Sequence, residues 1–211
     1  IEFASHIDTV PMGGNYDGAA GVVAGLEAIR ICLEKHAADL KHGLRLRIWR
    51  LEESATYNFF CFGSKTAFGL TPKEVLLNTF QSQKLSEAII KAGFSTASIE
   101  NEKAIIPQNE IDSILAHFEL HIEQATHLEE QDIDIGIVKA IAAPVRLMVR
   151  VQGAFDHSGA TPIGVKYRKD VNLAVAYMQV RLDQLLQSYL GENKDIKHTI
   201  GVVNSSRDIN E

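Results

Sequence analysis

No run of apolar residues in this chain approaches the roughly 20 that a helical membrane span requires, and no basic-then-apolar segment opens it. A helical span is excluded and a soluble protein is expected. Cysteine is scarce: Cys32 and Cys61 stand alone, without CxxC spacing, which excludes a disulfide scaffold and fits a reducing cytoplasm. Positive charge is not in excess either. With 21 Lys and Arg against 27 Asp and Glu, the net charge is -6, leaving no source for the phosphate neutralisation that drives nucleic-acid binding. Neither nucleic acid nor membrane is an expected partner. Internal repeats and low-complexity tracts are also missing. What is present is 211 residues at 45% hydrophobic, enough for one large core or two modest ones.

The pattern along the chain is that of an α/β protein. Residues 2 to 7 read as a short strand. Val22, Val23, Leu26, Ile29 and Leu33 then recur at the spacing of an amphipathic helix over 18 to 36. In "LRLRIWRLEES", Leu44, Leu46 and Ile48 alternate with Arg45 and Arg47, the period of a strand. Short helices are expected near 72 to 78, 84 to 92 and 109 to 115, a strand across "AHFELHIEQ", and two β runs between 133 and 153 broken at Ala143-Pro144. After that break a second module is expected: strand 145 to 153, a glycine-containing loop, helix 166 to 190 and strand 197 to 203. The first residues already lie within a strand, and the last read as strand then loop. The chain is therefore expected to be an internal fragment.

Four clusters carry possible chemistry. "SHIDTVPMGGNYDG" holds His6, Asp8 and Asp17, and this imidazole-carboxylate donor set suits Zn, Mn, Co or Ni. In a strand His6 and Asp8 share a face, so Asp8 could orient the His6 ring, while the intervening glycines let Asp17 fold back toward it. An Asp N-cap beside a loop histidine describes the same residues equally well. Glu52 and Glu53 follow the second strand, where one acid can bind metal and its neighbour serve as base; a solvated acidic corner is the plain alternative. "FELHIEQ" alternates so that Glu119, His121 and Glu123 line one face of a strand, although a histidine so placed is commonly a surface one. "GAFDHSGATP" sets Asp156 and His157 on a loop, which a Thr-Pro helix start partly explains. The plain readings leave unexplained why all four occur in one chain.

Taken together, "SHIDTVPMGGNYDGAAGVVAGLE", "EES", "FGSKTAFG", "ELHIEQATHLE" and "GAFDHSGATPI" resemble the dinuclear-metal amidohydrolases of the aminoacylase and carboxypeptidase superfamily. Within it they resemble the branch of N-carbamoyl-L-amino-acid hydrolases, β-ureidopropionases and allantoate amidohydrolases, which the histidine of "ELHIEQ" marks. The resemblance spans nearly the whole chain. It implies an incomplete zinc-aminopeptidase-like catalytic domain over 1–142, with a mixed sheet flanked by helices. Residues 143–211 would form the first half of a smaller α+β, ferredoxin-like lid and dimerisation domain. It further implies two divalent ions (Zn, Mn, Co or Ni): His6 and His121 on one, Asp17 bridging, Glu53 on the other, and Glu52 as base on the bridging water. Asp8 would support His6, Gln124 would lie near the substrate, and His157 would reach from the lid into a neighbouring subunit's site.

The implied reaction is hydrolysis of a linear C–N amide bond in a small ureido or N-carbamoyl compound by a cytoplasmic homodimer. An aminoacylase or dipeptidase of the same superfamily, or a non-catalytic truncated remnant, are the alternatives. The family's distal histidine ligand lies beyond these residues, so the fragment itself is expected to be inactive. Ala125 where the family usually has Gly, Met12 where it has Asn or Glu, and "YRKDV" in place of an Arg-rich run are departures that remove no ligand. A cis peptide after Asp17 is also expected from the resemblance.

Overall fold

The structure is a computed structural model that describes residues 1–192 and 196–204. The chain divides into two compact units, Ile1–Ile137 and Val138–Glu211.

The first unit is built on a three-stranded parallel sheet. Strand β1 (Glu2–His6) lies between β2 (Arg45–Trp49) and β5 (His117–Phe118), with His6 level with Trp49 and Phe3 level with Phe118. As the central strand, β1 is covered on both faces, and Ala4, Ser5 and His6 are all buried. Parallel neighbours cannot be joined by a tight turn, and helix α1 (Ala19–His36) provides the crossover from β1 to β2.

The packing of α1 differs from the expected apolar stripe. Its buried residues are Gly21 and Gly25, whereas Val23, Leu26 and Leu33 are exposed, Leu26 by 57%. Glycine permits this close approach. A Cβ at Gly21 would overlap the carbonyl oxygen of Leu120 and stand 2.6 Å from Ser5 Oγ; one at Gly25 would stand 2.9 Å from Leu46 Cδ1.

In the sheet itself, Glu2 of β1 is only 2% exposed and is held by side chains of the two neighbouring strands. Arg47 Nε donates to its carboxylate at 2.8 Å, Arg45 approaches at 3.4 Å and His117 Nδ1 at 3.3 Å, while Glu110 accepts from both arginines. Burial alone would raise the Glu2 carboxyl, yet the hydrogen bond and charge of Arg47, helped by His117, outweigh it and hold the group below the usual carboxylate range.

The expected short helices are found as a 3-10 turn at Lys73–Leu77, α3 (Leu85–Lys91) and α5 (Gln108–Asp112), joined by α2 (Phe62–Ala67) and α4 (Ala97–Glu100), which lack a periodic signal. Strands β3 (Thr79–Phe80) and β4 (Gln83–Lys84) form a hairpin whose turn residues Gln81 and Ser82 both have positive φ, as a type I′ turn requires. Val75, Leu76, Leu85, Ile99 and Ile106 form a small core here.

Several expected strands are not formed. The run 116 to 124 pairs only at His117–Phe118, because the Leu120 carbonyl turns toward Gly21 of α1 and leaves the ladder. Residues 133 to 153 and 197 to 203 carry strand-like alternation but no ladder. A strand exists only by pairing, and among the described residues these segments have no β neighbour; Ile135, Ile141, Leu147 and Val202 are exposed accordingly. Among the described residues the sheet is therefore parallel, with a separate hairpin, where a mixed sheet was expected, and the strands expected at 145–153 and 197–203 are not formed. The loop expected at the chain's end falls on 205–211, outside the described residues.

In the second unit, helix α6 (Val171–Leu190) begins five residues later than its periodicity predicts. Asp170 caps it, accepting from the Leu173 N–H at 3.0 Å.

Candidate metal centre

Parallel α/β sheets place their chemistry at the carboxyl ends of their strands, where the loops leave the sheet. Here three strands do so together. His6 is the last residue of β1, Glu52 and Glu53 follow β2, and His121 follows β5.

His6 is 1% exposed, and its Nδ1 lies 2.8 Å from the Asp8 carbonyl oxygen. A carbonyl can only accept, so Nδ1 carries the hydrogen and Nε2 presents a lone pair. His121 repeats the arrangement, with Nδ1 2.7 Å from the Ile122 carbonyl oxygen. Both Nε2 atoms face one carboxylate oxygen: Asp17 Oδ1 is 3.6 Å from that of His6 and 3.4 Å from that of His121. With both imidazoles neutral, two lone pairs and an anionic oxygen are turned on one another. His6 Nε2 and Asp17 Oδ1 are accordingly the buried side-chain atoms without a hydrogen-bond partner among the described residues. Such a group is costly unless a proton or cation lies between. These donors fit a divalent metal ion by chemistry and spacing, and one ligand atom from each of His6, Asp17 and His121 lies within 4.8 Å of the others.

Asp17 is delivered by the turn into α1. Gly18 has φ +70°, and a Cβ there would lie 2.5 Å from His6 Nδ1, so only glycine lets the helix start against the imidazole. The expected cis peptide is absent: among the described residues every peptide bond is trans, and positive φ at Gly18 makes the turn. The second Asp17 oxygen accepts from Gln124 Nε2 at 2.8 Å.

A second donor group shares His6. Its Nε2 is 3.9 Å from Glu52 Oε2, and one ligand atom from each of His6, Glu52 and Glu53 lies within 4.8 Å of the others. Asp8 holds the acid pair rather than the imidazole. Its Oδ1 accepts from the Glu52 N–H and its Oδ2 from the Glu53 N–H, both at 3.1 Å. Its carboxylate is 3.8 Å from His6 Nδ1, too long for the side-chain hydrogen bond expected from the strand alternation; the Asp8 backbone carbonyl makes that bond instead. Burial, then the negative charges of Glu52, Asp17 and Asp8, raise the Glu53 carboxyl above its ordinary value, with His6 opposing. Four carboxylates so close together are a site that calls for positive charge.

Cys61 is a member of this site without a sequence signal, apart from lying in the loop that returns from Glu52. Its thiol donates to Glu52 Oε1 at 3.1 Å, and burial followed by Glu52 pushes it up to about 12, so it remains a neutral S–H donor.

The single face expected for Glu119, His121 and Glu123 is not formed, because no ladder holds residues 119 to 123 extended. Glu119 accepts from Ser5 Oγ, Glu123 accepts from the N–H of Leu128, and only His121 joins Asp17.

His157 belongs to the second unit. Its Nδ1 accepts from the N–H groups of Gly159 and Ala160, at 3.1 and 2.9 Å, leaving the hydrogen on Nε2. Asp156 Oδ1 accepts from the His157 N–H and from Thr161 Oγ1, bonds that hold its carboxyl below the ordinary range. Arg168 closes the same loop on the carbonyls of Ser158 and Thr161.

The chain is similar to several known proteins. Residues 1–99 match peptidase family M28. A ureidoglycolate hydrolase from Arabidopsis thaliana is 33% identical over 208 residues, covering 96% of this chain and 42% of the relative. An N-carbamoyl-L-amino acid amidohydrolase from Geobacillus stearothermophilus is 30% identical over 181 residues, covering 85% of this chain and 42% of the relative. A crystal structure of a hydantoinase/carbamoylase family amidase from Burkholderia ambifaria has a TM-score of 0.58 and 28% identity, covering 90% of this chain and 44% of that one. The chain thus spans less than half the length of each.

Proposed function

We propose that this chain belongs with the amidohydrolases it resembles and carries the catalytic half of a metal-dependent enzyme hydrolysing linear C–N amide bonds in small ureido or N-carbamoyl compounds. The observation that carries the reading is the buried, partnerless pair of His6 Nε2 and Asp17 Oδ1, aimed at one another across a gap suited to a cation. His6 and His121 would hold one divalent ion, Asp17 would be shared, and Glu53 would hold a second. Ions bound there would supply Lewis-acid polarisation of the attacked carbonyl and a water of lowered pKa.

The chain's own residues do the rest. Glu52, with Oε2 facing His6, takes a proton from the attacking water and returns it to the nitrogen that leaves when the C–N bond breaks. Its timing matters because a ureido carbonyl, fed by two nitrogens, is a poor electrophile. Asp8 keeps Glu52 and Glu53 in register through their amides. Gln124 keeps the Asp17 carboxylate turned so that Oδ1 stays in the pocket, and lies where substrate would approach. His157, with its hydrogen on Nε2, would donate to the developing oxyanion at a neighbouring subunit's site. Residues 1–142 would be the catalytic part and 143–211 part of a ferredoxin-like lid and dimerisation domain, the active form being a cytoplasmic homodimer.

The test is an assay of the protein encoded by the complete reading frame, on N-carbamoyl amino acids, allantoate and N-acetyl amino acids with metal supplied. Ammonia release from the ureido compounds, lost in Glu52→Gln by about 10²-fold or more while metal binding persists, is expected. Acetate release without ammonia would overturn the choice of substrate class.

A further inference from the structure

Glu52 is pinned at three of its four polar atoms, and Cys61 accounts for two of the three bonds. The Glu52 N–H donates to Asp8 Oδ1 at 3.1 Å. Its carbonyl oxygen accepts from the Cys61 N–H at 2.6 Å, and Oε1 accepts from Cys61 Sγ at 3.1 Å. Only Oε2 is left, and it is the oxygen that faces His6 Nε2.

The loop makes Cys61 a fixed point. It has φ 56° and ψ 35°, a left-handed backbone that a non-glycine residue adopts only when its surroundings impose it. They do so here. The next two residues return along the chain that leaves β2, with Phe62 N–H donating to the Leu51 carbonyl at 2.8 Å and Gly63 N–H to that of Arg50 at 3.0 Å. Together with the Cys61–Glu52 bond, these three rungs close the loop from Arg50 to Gly63.

From this geometry we infer that Cys61 is a positioning residue for the base: its thiol and its N–H fix one edge of Glu52 so that a single carboxylate oxygen is presented to the reaction. The inference rests on the reading of Glu52 as the base, and it deepens that reading. A carboxylate free to rotate about its last torsion would offer either oxygen at varying angles to an incoming water. One anchored at Oε1 keeps Oε2 on station through both proton transfers, and catalysis is sensitive to such placement. The S–H bond is not consumed in the reaction. Serine, which keeps a donor at the same position on a shorter bond, should replace Cys61 in this role; alanine should not.

Two measurements decide it. In steady-state assays of the metal-loaded protein encoded by the complete reading frame, Cys61→Ala should lower kcat by about tenfold with KM within about twofold, as loss of a hydrogen bond to a charged group implies, and Cys61→Ser should recover most of it. An unchanged kcat in Cys61→Ala, or a change confined to KM, would overturn the inference. The second measurement needs no turnover. In a Cys32→Ser background the single remaining thiol gives one infrared S–H stretch, which should move to higher frequency when Glu52→Gln replaces the anionic acceptor with a neutral one. An identical band in both would show that the thiol does not bond Glu52 and would likewise overturn the inference. A product of the complete reading frame that turns over no ureido substrate at all would refute the proposed function, and the infrared result would still decide the Cys61–Glu52 contact.

Discussion

Gly21 is where the fold and the site meet, and replacing it with alanine tests both. The helix alone would gain, since alanine exceeds glycine in an α-helix interior by about 1 kcal/mol. Against that, the added Cβ would overlap the Leu120 carbonyl oxygen and lie 2.6 Å and 2.7 Å from Ser5 Oγ and Cβ. A backbone oxygen cannot turn aside as a side-chain end can, so α1 or the 119–121 segment must shift, and overpacking of this kind costs about 1–3 kcal/mol. Because the clash is with backbone the cost falls in the upper part of that range, about 2–3 kcal/mol, and the net is a loss of about 1–2 kcal/mol, or a Tm lower by about 2–8 °C for a chain of this size. Gly25→Ala is the matched control. Its Cβ would meet Leu46 Cδ1 at 2.9 Å, a methyl that can swing away, and Phe3 Cβ at 3.1 Å, so its Tm should lie within a few degrees of the parent at about 1 kcal/mol or less. Because Leu120 immediately precedes His121, Gly21→Ala should also weaken divalent-metal binding, which Gly25→Ala should not. Thermal denaturation by circular dichroism and metal titration of the two variants provide the readings. A Gly21→Ala protein as stable as the parent and with the same metal affinity would refute the close contact.

Three further outcomes are expected. Glu2→Gln should destabilise by about 3 kcal/mol in urea unfolding, because Arg47 loses its buried counter-charge. The Glu2 carboxyl titrates in the fold below its ordinary value of 4.5, so its contribution is present above that pH and is lost as pH falls through the folded value; Glu2→Gln should flatten this acid-side loss. Asp8→Ala removes the acceptors of two amides and should cost about 1–3 kcal/mol, with weaker metal binding in the same preparation; unchanged unfolding would count against its clamp on the acid pair. Zn2+ at 100 times its Kd should stabilise the chain by about 2.7 kcal/mol, raising Tm by about 5–10 °C in a way that EDTA reverses.

The sequence was most legible where its periodicity and its pairing partners lie close together. β1, α1 and β2 follow one another within about fifty residues, and their patterns correctly locate them. The orientation of α1 was not legible, because hydrophobic spacing points to Val23, Leu26 and Leu33, while the contact is made through Gly21 and Gly25, whose lack of a side chain has no hydrophobic signal. Alternation at 133 to 153 marks residues suited to a strand, but a ladder depends on a neighbour that local pattern cannot reveal. At the site, the donor types of His6, Asp17, Glu52, Glu53 and His121 were readable, and the structure brings them together at the strand ends. What strand geometry misassigned was the partner of Asp8, since the chain leaves extended structure after His6 and the side chain turns to the amides of Glu52 and Glu53. Cys61 was invisible because its role depends on a left-handed loop return that no composition rule marks.

Cobalt titration tests the convergence of His6, Asp17 and His121 most directly, since Co2+ coordinated by imidazole and carboxylate absorbs visibly. The chain should bind Co2+ with a visible band that is abolished or sharply weakened in both Asp17→Asn and His121→Ala, each of which should remain folded by circular dichroism. Identical bands and stoichiometry in the parent and in both folded variants would contradict the metal centre.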